Sequence, residues 1–327
     1  MTQRALVTGG CGFIGSHLLD VLTDHGFETL TVDILFHKTS LQNIRHLEGR
    51  IELNQTDIRD TKALREIFDR FRPHHVYHLA AHHYIPYCNQ YPIEAIDTNL
   101  LGTQNVADAC SAYGVERLFF ASTAAVYGIS DHPHQETQLP DPLDVYGVTK
   151  AAGEKIAAFT ARNSKTKVRI GRFFNAVGNR ETNPHIIPEI VTQLRANPSG
   201  PLKLGNVSPK RDYIHAADLA DSSFAVLNRG EETLDTVNLG SGCEYSVRDL
   251  VGLFEIALQR KIEIISDPER VRKNDRPHLC ADVSKLHQEY NWKQTHSLQE
   301  AIDELSQQIR SDTRQSAPAE MALRAGA

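Results

Sequence analysis

Residues 5–8 (Ala-Leu-Val-Thr) form a short apolar run, glycines follow at 9, 12 and 15, and a helical pattern begins at once. Strand, glycine turn and helix in that order constrain this chain more than any other stretch. The first glycine permits a tight turn, the second lets backbone approach a pyrophosphate, and the third lets helix and strand pack closely. The helix N-terminus then faces the phosphates. The spacing Gly9-x-x-Gly12-x-x-Gly15 is one residue longer than the usual dinucleotide fingerprint, but Ile14, Leu18, Leu19 and Leu22 supply the amphipathic helix that gives it meaning. A second strand, Glu28 to Asp33, ends on a carboxylate 18 residues after Gly15. There an acid accepts both ribose hydroxyls of an adenosine and repels a 2′-phosphate, which favours NAD over NADP. Asp57, after a third strand at Arg50–Leu53, either addresses the adenine or, within Asp57–Asp60, caps the next helix.

The alternation continues, with helix Thr61–Phe71, strand His75–Leu79, a long helical stretch Pro92–Tyr113, strand Arg117–Ser122, helix Val145–Arg162 and strand Val168–Phe173. Strands separated by helices of this length predict an α/β fold with a doubly wound parallel sheet. After about Asn175 prolines recur and elements shorten, which predicts a smaller lobe over 176–310, with strands around 211–240 returning to the first lobe and a flexible tail at 311–327. The 35 Lys and Arg against 41 Asp and Glu give a formal charge of −6. That balance argues against a nucleic-acid partner, which requires a basic surface. No apolar run reaches the roughly 20 residues of a membrane span, and the glycines and polar residues near the start break up any export signal. The five cysteines are scattered, odd in number and never in a C-x-x-C pair. This argues against a disulfide framework and a zinc site, and it predicts a cytoplasmic home.

Tyr146 and Lys150 stand one helical turn apart at the start of a predicted helix, so they share a face. An ammonium beside a phenol favours the phenolate, and the pair makes a general base. Upstream, Ser122-Thr123 ends a strand and presents a hydroxyl where ligands of open α/β sheets bind.

At this point the residues resemble the extended short-chain dehydrogenase/reductases, within them the nucleotide-sugar 4-epimerases. The matching motifs run from about residue 3 to 305. They are Thr8-Gly9-Gly10-x-Gly12-Phe-Ile-Gly15, His78-Leu-Ala-Ala81, Asn99 with Gly102-Thr103, Ser122-Thr123 before Val126-Tyr127-Gly128, and Tyr146 with Lys150. Further on come Arg172-Phe-Phe-Asn175-x-x-Gly178, Arg211-Asp-Tyr-Ile-His215 with Asp218-Leu219, and Arg272-Lys-Asn-Asp275.

The resemblance implies a Rossmann-type sheet with a smaller substrate-binding lobe, NAD as cofactor, and a homodimer joined through the 92–113 and 145–162 helices; no metal is expected, because His74, His75, His78, His82 and His83 diverge along a strand and its exit and no H-E-x-x-H occurs. It makes Thr123, Tyr146 and Lys150 the catalytic trio. Cofactor contacts fall to Gly9, Gly12, Phe13, Ile14, Gly15, Asp33, Asp57, Ile58, Leu79, Ala80, Ala81, Asn99 and Lys150. A nucleotide diphosphate sugar falls to His83, Thr123, Tyr146, Asn175, Ile186, Arg211, Arg272 and Asp275. Related dehydratases typically carry Asp-Glu directly after the threonine, whereas Ala124 and Ala125 stand here. Oxidation at C4 followed by re-reduction is then the implied reaction; dehydration, decarboxylation, keto reduction and a non-enzymatic NAD-binding scaffold are the alternatives. Two stretches depart from the epimerase pattern, the His82–Cys88 loop and Asn183–Pro188. Leu279 falls where the family often has a bulky aromatic that excludes N-acetylated sugars.

Overall fold

A computed structural model describes residues 2–35, 40–181, 183–270 and 276–324, with side chains to Ser311. Its strands are β1 (Arg4–Thr8), β2 (Glu28–Asp33), β3 (Glu52–Gln55), β4 (His75–His78), β5 (Arg117–Thr123), β6 (Lys167–Phe173), β7 (Asn175–Val177), β8 (Leu202–Leu204), β9 (Lys210–His215), β10 (Leu234–Leu239), β11 (Glu244–Ser246) and β12 (Ile264–Ser266). The helices of the first lobe are α1 (Phe13–Asp24), α2 (Ser40–Ile44), α3 (Thr61–Phe71), α4 (Ile85–Gln90), α5 (Pro92–Ile96), α6 (Gly102–Ala112) and α7 (Val145–Asn163). Five more follow: α8 (Ile186–Ala196), α9 (Ala216–Arg229), α10 (Val247–Leu258), α11 (Ser284–Gln288) and α12 (Leu298–Arg324).

Seven strands form one parallel sheet in the order β10-β6-β5-β4-β1-β2-β3. The chain moves outward from β1 in one direction through β2 and β3, and in the other through β4, β5 and β6. That reversal opens a crevice beyond the carboxyl ends of β1 and β4. Both faces are covered, so the central strands β1, β4 and β5 are buried along almost their whole length rather than at alternate residues. Leu18, Leu19 and Leu22 of α1 pack with Val7, Phe119, Val237 and Leu239 on one face. Phe68, Val106, Ala157 and Ala161 pack with Leu6, Val76 and Ile170 on the other. Each fully buried leucine of α1 contributes about 1.5–3 kcal/mol. The second lobe has its own core of α8, α10 and α12 side chains, including Ile190, Leu250, Phe254 and Ile302.

Several expectations shift. Of the later strands, β10 returns to the large sheet beside β6, whereas β9 joins β7 and β11 in a separate three-stranded sheet. Asp60, not Asp57, caps α3, accepting from Ala63 N at 3.0 Å, while the Asp57 carboxylate pairs with Arg59 at 2.6 Å. Where a tail was expected from 311, the backbone of α12 stays helical to Arg324. The helical stretch 92–112 is interrupted by a π-helical turn at Asp97–Leu101, which carries Asn99 inward. Among the described residues, no helix is long and apolar enough to cross a membrane.

Candidate active site

The crevice begins at the glycine turn. Gly9 has φ +75°, and a Cβ there would lie 2.8 Å from Ala80 N. Gly15 packs against the same turn, where a Cβ would stand 2.2 Å from the Gly9 carbonyl oxygen. Gly12 is different. A Cβ there meets only the Gly9 oxygen, at 3.2 Å, so protein packing alone does not demand glycine. Gly12 is the N-cap of α1, and no side chain caps that helix. Bare backbone and free first-turn N–H groups at a helix N-terminus fit a pyrophosphate.

Around this cradle, Asp33 Oδ2 accepts from Cys11 N at 3.0 Å and Oδ1 from Leu35 N at 2.8 Å, so the carboxylate is fixed beside the turn. Phe13 and Ile14 open α1, half-buried. Leu79 and Ala80 leave β4 bonded to Thr8, at 3.1 and 3.3 Å, with Ala81 next in line. Ile58 is buried, with its Cδ1 2.5 Å from where a Cβ of Gly102 would be. Asn99 spends its amide on the protein: Oδ1 accepts from His82 N at 2.8 Å, and Nδ2 donates to His82 O at 2.9 Å and Thr149 Oγ1 at 3.0 Å. Its side chain positions the loop after β4.

The trio assembles one strand away. β5 delivers Thr123, whose Oγ1 accepts from Ala125 N at 3.1 Å and shares a hydrogen bond with the Tyr146 hydroxyl. Asp144 caps α7 through Gly147 N at 2.8 Å, which fixes the turn bearing Tyr146. Lys150 is buried, and its Nζ donates to Ala121 O at 2.7 Å. Burial raises the Tyr146 phenol above its ordinary range and pushes Lys150 down to about 7. For Tyr146 desolvation outweighs the Thr123 hydrogen bond that pulls the phenol down, and for Lys150 it outweighs the charges of Cys88 and Glu154 that pull the ammonium up. The two residues after Thr123 are buried methyl side chains, Ala124 and Ala125.

On the second-lobe side, Asn175 leads β7 with a buried Nδ2 that has no hydrogen-bond partner among the described residues. A buried, unmet donor at this edge fits a ligand oxygen. Arg211 on β9 donates to the carbonyls of Lys210 and Arg276, at 2.8 and 2.7 Å. Ile186 opens α8 against the second-lobe core. His83 is exposed and meets Asn183. Arg272 and Asp275 lie outside the described residues. Leu279 is buried with Val126, Tyr127 and Phe174. Among the described residues, no group of three or more His, Cys, Asp or Glu is placed to hold a metal ion.

The sequence pattern of the GDP-mannose 4,6 dehydratase family matches residues 6–305. The chain belongs to that family. Relatives include UDP-glucose 4-epimerase 2 of Arabidopsis thaliana, 30% identical over 93% of this chain and 94% of its own, and the UDP-glucose 4-epimerase of Neisseria gonorrhoeae, 30% identical over 92% and 96%. Among solved structures, a UDP-glucose 4-epimerase of Stenotrophomonas maltophila with bound NAD and formylated UDP-arabinopyranose superposes with TM-score 0.87, at 28% identity over 95% of this chain and 99% of that one. A Thermus thermophilus UDP-glucose 4-epimerase in complex with NAD gives TM-score 0.84, at 29% identity over 94% and 99%.

Within this GDP-mannose 4,6 dehydratase frame, sequence reasoning missed contacts that hold the first turn of α7, the β4 exit and the start of α8. Asn89 Oδ1 accepts from Val145 N at 3.1 Å, tying α4 to the first turn of α7. Cys88 is fully buried, and its thiol donates to His82 O at 3.4 Å. Glu181 is largely buried and bonds His185 Nδ1 at 2.5 Å. That last pair precedes α8, where no helical period applies, so no local signal in the sequence marks it.

Proposed function

We propose that this protein is an NAD-dependent epimerase acting at C4 of a nucleotide diphosphate sugar, through transient oxidation to the 4-keto sugar. The observation that carries this reading is the Thr123–Tyr146–Lys150 cluster followed by Ala124 and Ala125. The cluster can move a proton at a sugar hydroxyl, but those two positions offer no acid for elimination across C5 and C6. Relatives named UDP-glucose 4-epimerase, aligned over nine tenths of the chain, support it.

In this reading Gly9, Gly12 and Gly15 hold the cofactor diphosphate, Asp33 its adenosine ribose, Leu79–Ala81 flank it, and Lys150 bonds the second ribose. When bound, NAD supplies the hydride acceptor and donor for C4 and a positive ring charge that favours the phenolate. Tyr146 Oη takes the proton of the C4 hydroxyl and later returns it. Thr123 holds that phenol and the substrate hydroxyl in line. Lys150, when protonated, stabilises the ionised phenol. Asn175 supplies an N–H to the sugar side, and Arg211 with Arg272 neutralises the diphosphate, which a protein of net charge −6 must do locally. The working form is a homodimer joined through α5, α6 and α7. Five unbonded cysteines fit a reducing cytoplasm.

Incubation with a panel of nucleotide sugars, read by mass spectrometry and NMR without added NADH, should give C4 inversion with no change of mass. Loss of water or of carbon dioxide would overturn the assignment. Tyr146→Phe should slow inversion by roughly 100-fold or more.

A further inference from the structure

The two stretches that depart from the epimerase pattern meet each other in space, although 100 residues separate them. Asn183 Nδ2 lies 2.9 Å from His83 Nε2, and the His185 ring stands 6.0 Å from that of His83 and 5.8 Å from that of Tyr84. Topology says what this contact crosses. The strand order is β6-β5-β4-β1. Chain leaving β6 passes Asn175 and Gly178 and then reaches α1, where Arg180 pairs with Asp20 at 2.8 Å and His17 meets Asn179 O at 3.3 Å. Between the end of β6 and α1 it therefore spans the width of β5 and β4, and Asn183 and His185 then return to the β4 exit. Both ends of the bridge are braced. His82 is gripped on its N–H and carbonyl by Asn99, and His185 is held on Nδ1 by Glu181.

We propose that His83, Tyr84, Asn183 and His185 form an inter-lobe strap that keeps the 4-keto intermediate in the site until it is reduced again. This inference rests on the epimerase reading. Oxidation moves a hydride from C4 to the bound nicotinamide and a proton from O4 to Tyr146. If the ketone leaves, the two electrons remain on the protein as reduced cofactor, and no second substrate in the reaction removes them. An epimerase whose intermediate must turn its other face, attached through its nucleotide alone, needs a closed mouth for that interval. The four residues are positioning residues, since retention and not proton transfer is their task.

The test uses the holoenzyme and the variants His83→Ala, Asn183→Ala and the double variant, incubated with the nucleotide sugar that the wild-type protein inverts. Reduced-nicotinamide fluorescence is followed with time. Released ketone is trapped in the filtrate with borodeuteride and counted by its added deuterium. The double variant should release more ketone per inversion, on the order of fivefold or more, the worth of one hydrogen bond with its ring contacts, and should accumulate reduced cofactor in step. The two single variants should be non-additive, since each breaks the same bridge. Inversion at the wild-type rate with unchanged ketone release would overturn the strap alone. Slower inversion without extra ketone or reduced cofactor would also overturn it, by making these side chains merely structural. A wild-type protein that inverts no sugar, while still binding NAD, would overturn the epimerase reading instead.

Discussion

Lys150 is held in a place that works against its charge. Its Nζ is buried, donates to Ala121 O and lies 4.9 Å from the centre of the Phe120 ring, and desolvation brings its pKa from the usual 10.5 to about 7, despite the opposing pull of Cys88 and of Glu154 one turn further along α7. An unfolded chain would keep the proton up to about 10.5. Between pH 7 and 10.5 the unfolded state therefore binds one more proton, so this residue makes stability rise with pH across that window; below about pH 7 both states hold the proton and the full penalty applies. In cofactor-free protein, Lys150→Met should raise unfolding stability at pH 6.5 by about 2–4 kcal/mol. The gain should shrink toward pH 10, while inversion falls by roughly two orders of magnitude or more. Denaturant titrations at pH 6.5, 8 and 9.5 measure it; a gap that does not change with pH would refute the buried-charge account. Tyr146 and Lys150 were recognisable as neighbours from their spacing alone. Which way their pKa values move was not, because burial depends on β5 and α4, which lie far away in sequence.

The turn between β1 and α1 separates two uses of glycine within one element. Gly15→Ala puts a Cβ 2.2 Å from the Gly9 oxygen and 2.7 Å from Gly10 Cα, both backbone atoms that cannot swing aside. Gly12→Ala meets one backbone oxygen at 3.2 Å. The first should lower stability by about 1–3 kcal/mol or more, the range for an overpacked site. The second should change stability by less than about 1 kcal/mol yet weaken dinucleotide binding by roughly tenfold or more, since the methyl occupies space meant for phosphate. Thermal unfolding of cofactor-free protein, paired with calorimetric NAD titration, tells them apart; equal effects on both readouts would refute the distinction. This turn was legible because strand, glycines and helix all fall within 24 residues. Asp57 and Asp60 were not separable in the same way, since only the observed start of α3 at Thr61 decides which carboxylate meets a free N–H. The strap was illegible for a stronger reason. No periodicity links residues 83 and 183, and only the path of chain from β6 to α1 brings them together. Leu279 likewise sits in a loop without alternation, and its burial beside Tyr127 and Phe174 follows from backbone bonds to Lys210 and Asp212.

At the scale of the whole molecule, α6 and α7 lie side by side on one face of the sheet and divide their apolar residues between two tasks. Val106, Ala109 and Cys110 of α6, with Ala157 and Ala161 of α7, face the sheet. Turned away from it are Leu101 in the π-helical turn, 51% exposed, and Val148 and Phe159 of α7, 53% and 65%, with Ile93 of α5 at 69%. From sequence, Leu101 and Phe159 could have served either purpose; the outward set is now assigned. Four large apolar side chains left exposed on α5, α7 and the turn between α5 and α6 would form one covered face in a dimer. A two-fold axis there would bring α6 and α7 of one copy against those of another and bury the set on both. The proposed dimer should appear in sedimentation at micromolar concentration. Each exposed leucine or phenylalanine that becomes buried contributes about 1.5–3 kcal/mol, and the double variant Leu101→Glu/Phe159→Glu loses two per copy and adds two charges. Its association should weaken by at least about 100-fold, leaving a folded monomer with unchanged far-ultraviolet circular dichroism. A wild-type protein that sediments as a monomer at tens of micromolar, or a double variant that still dimerises, would show that these helices face solvent.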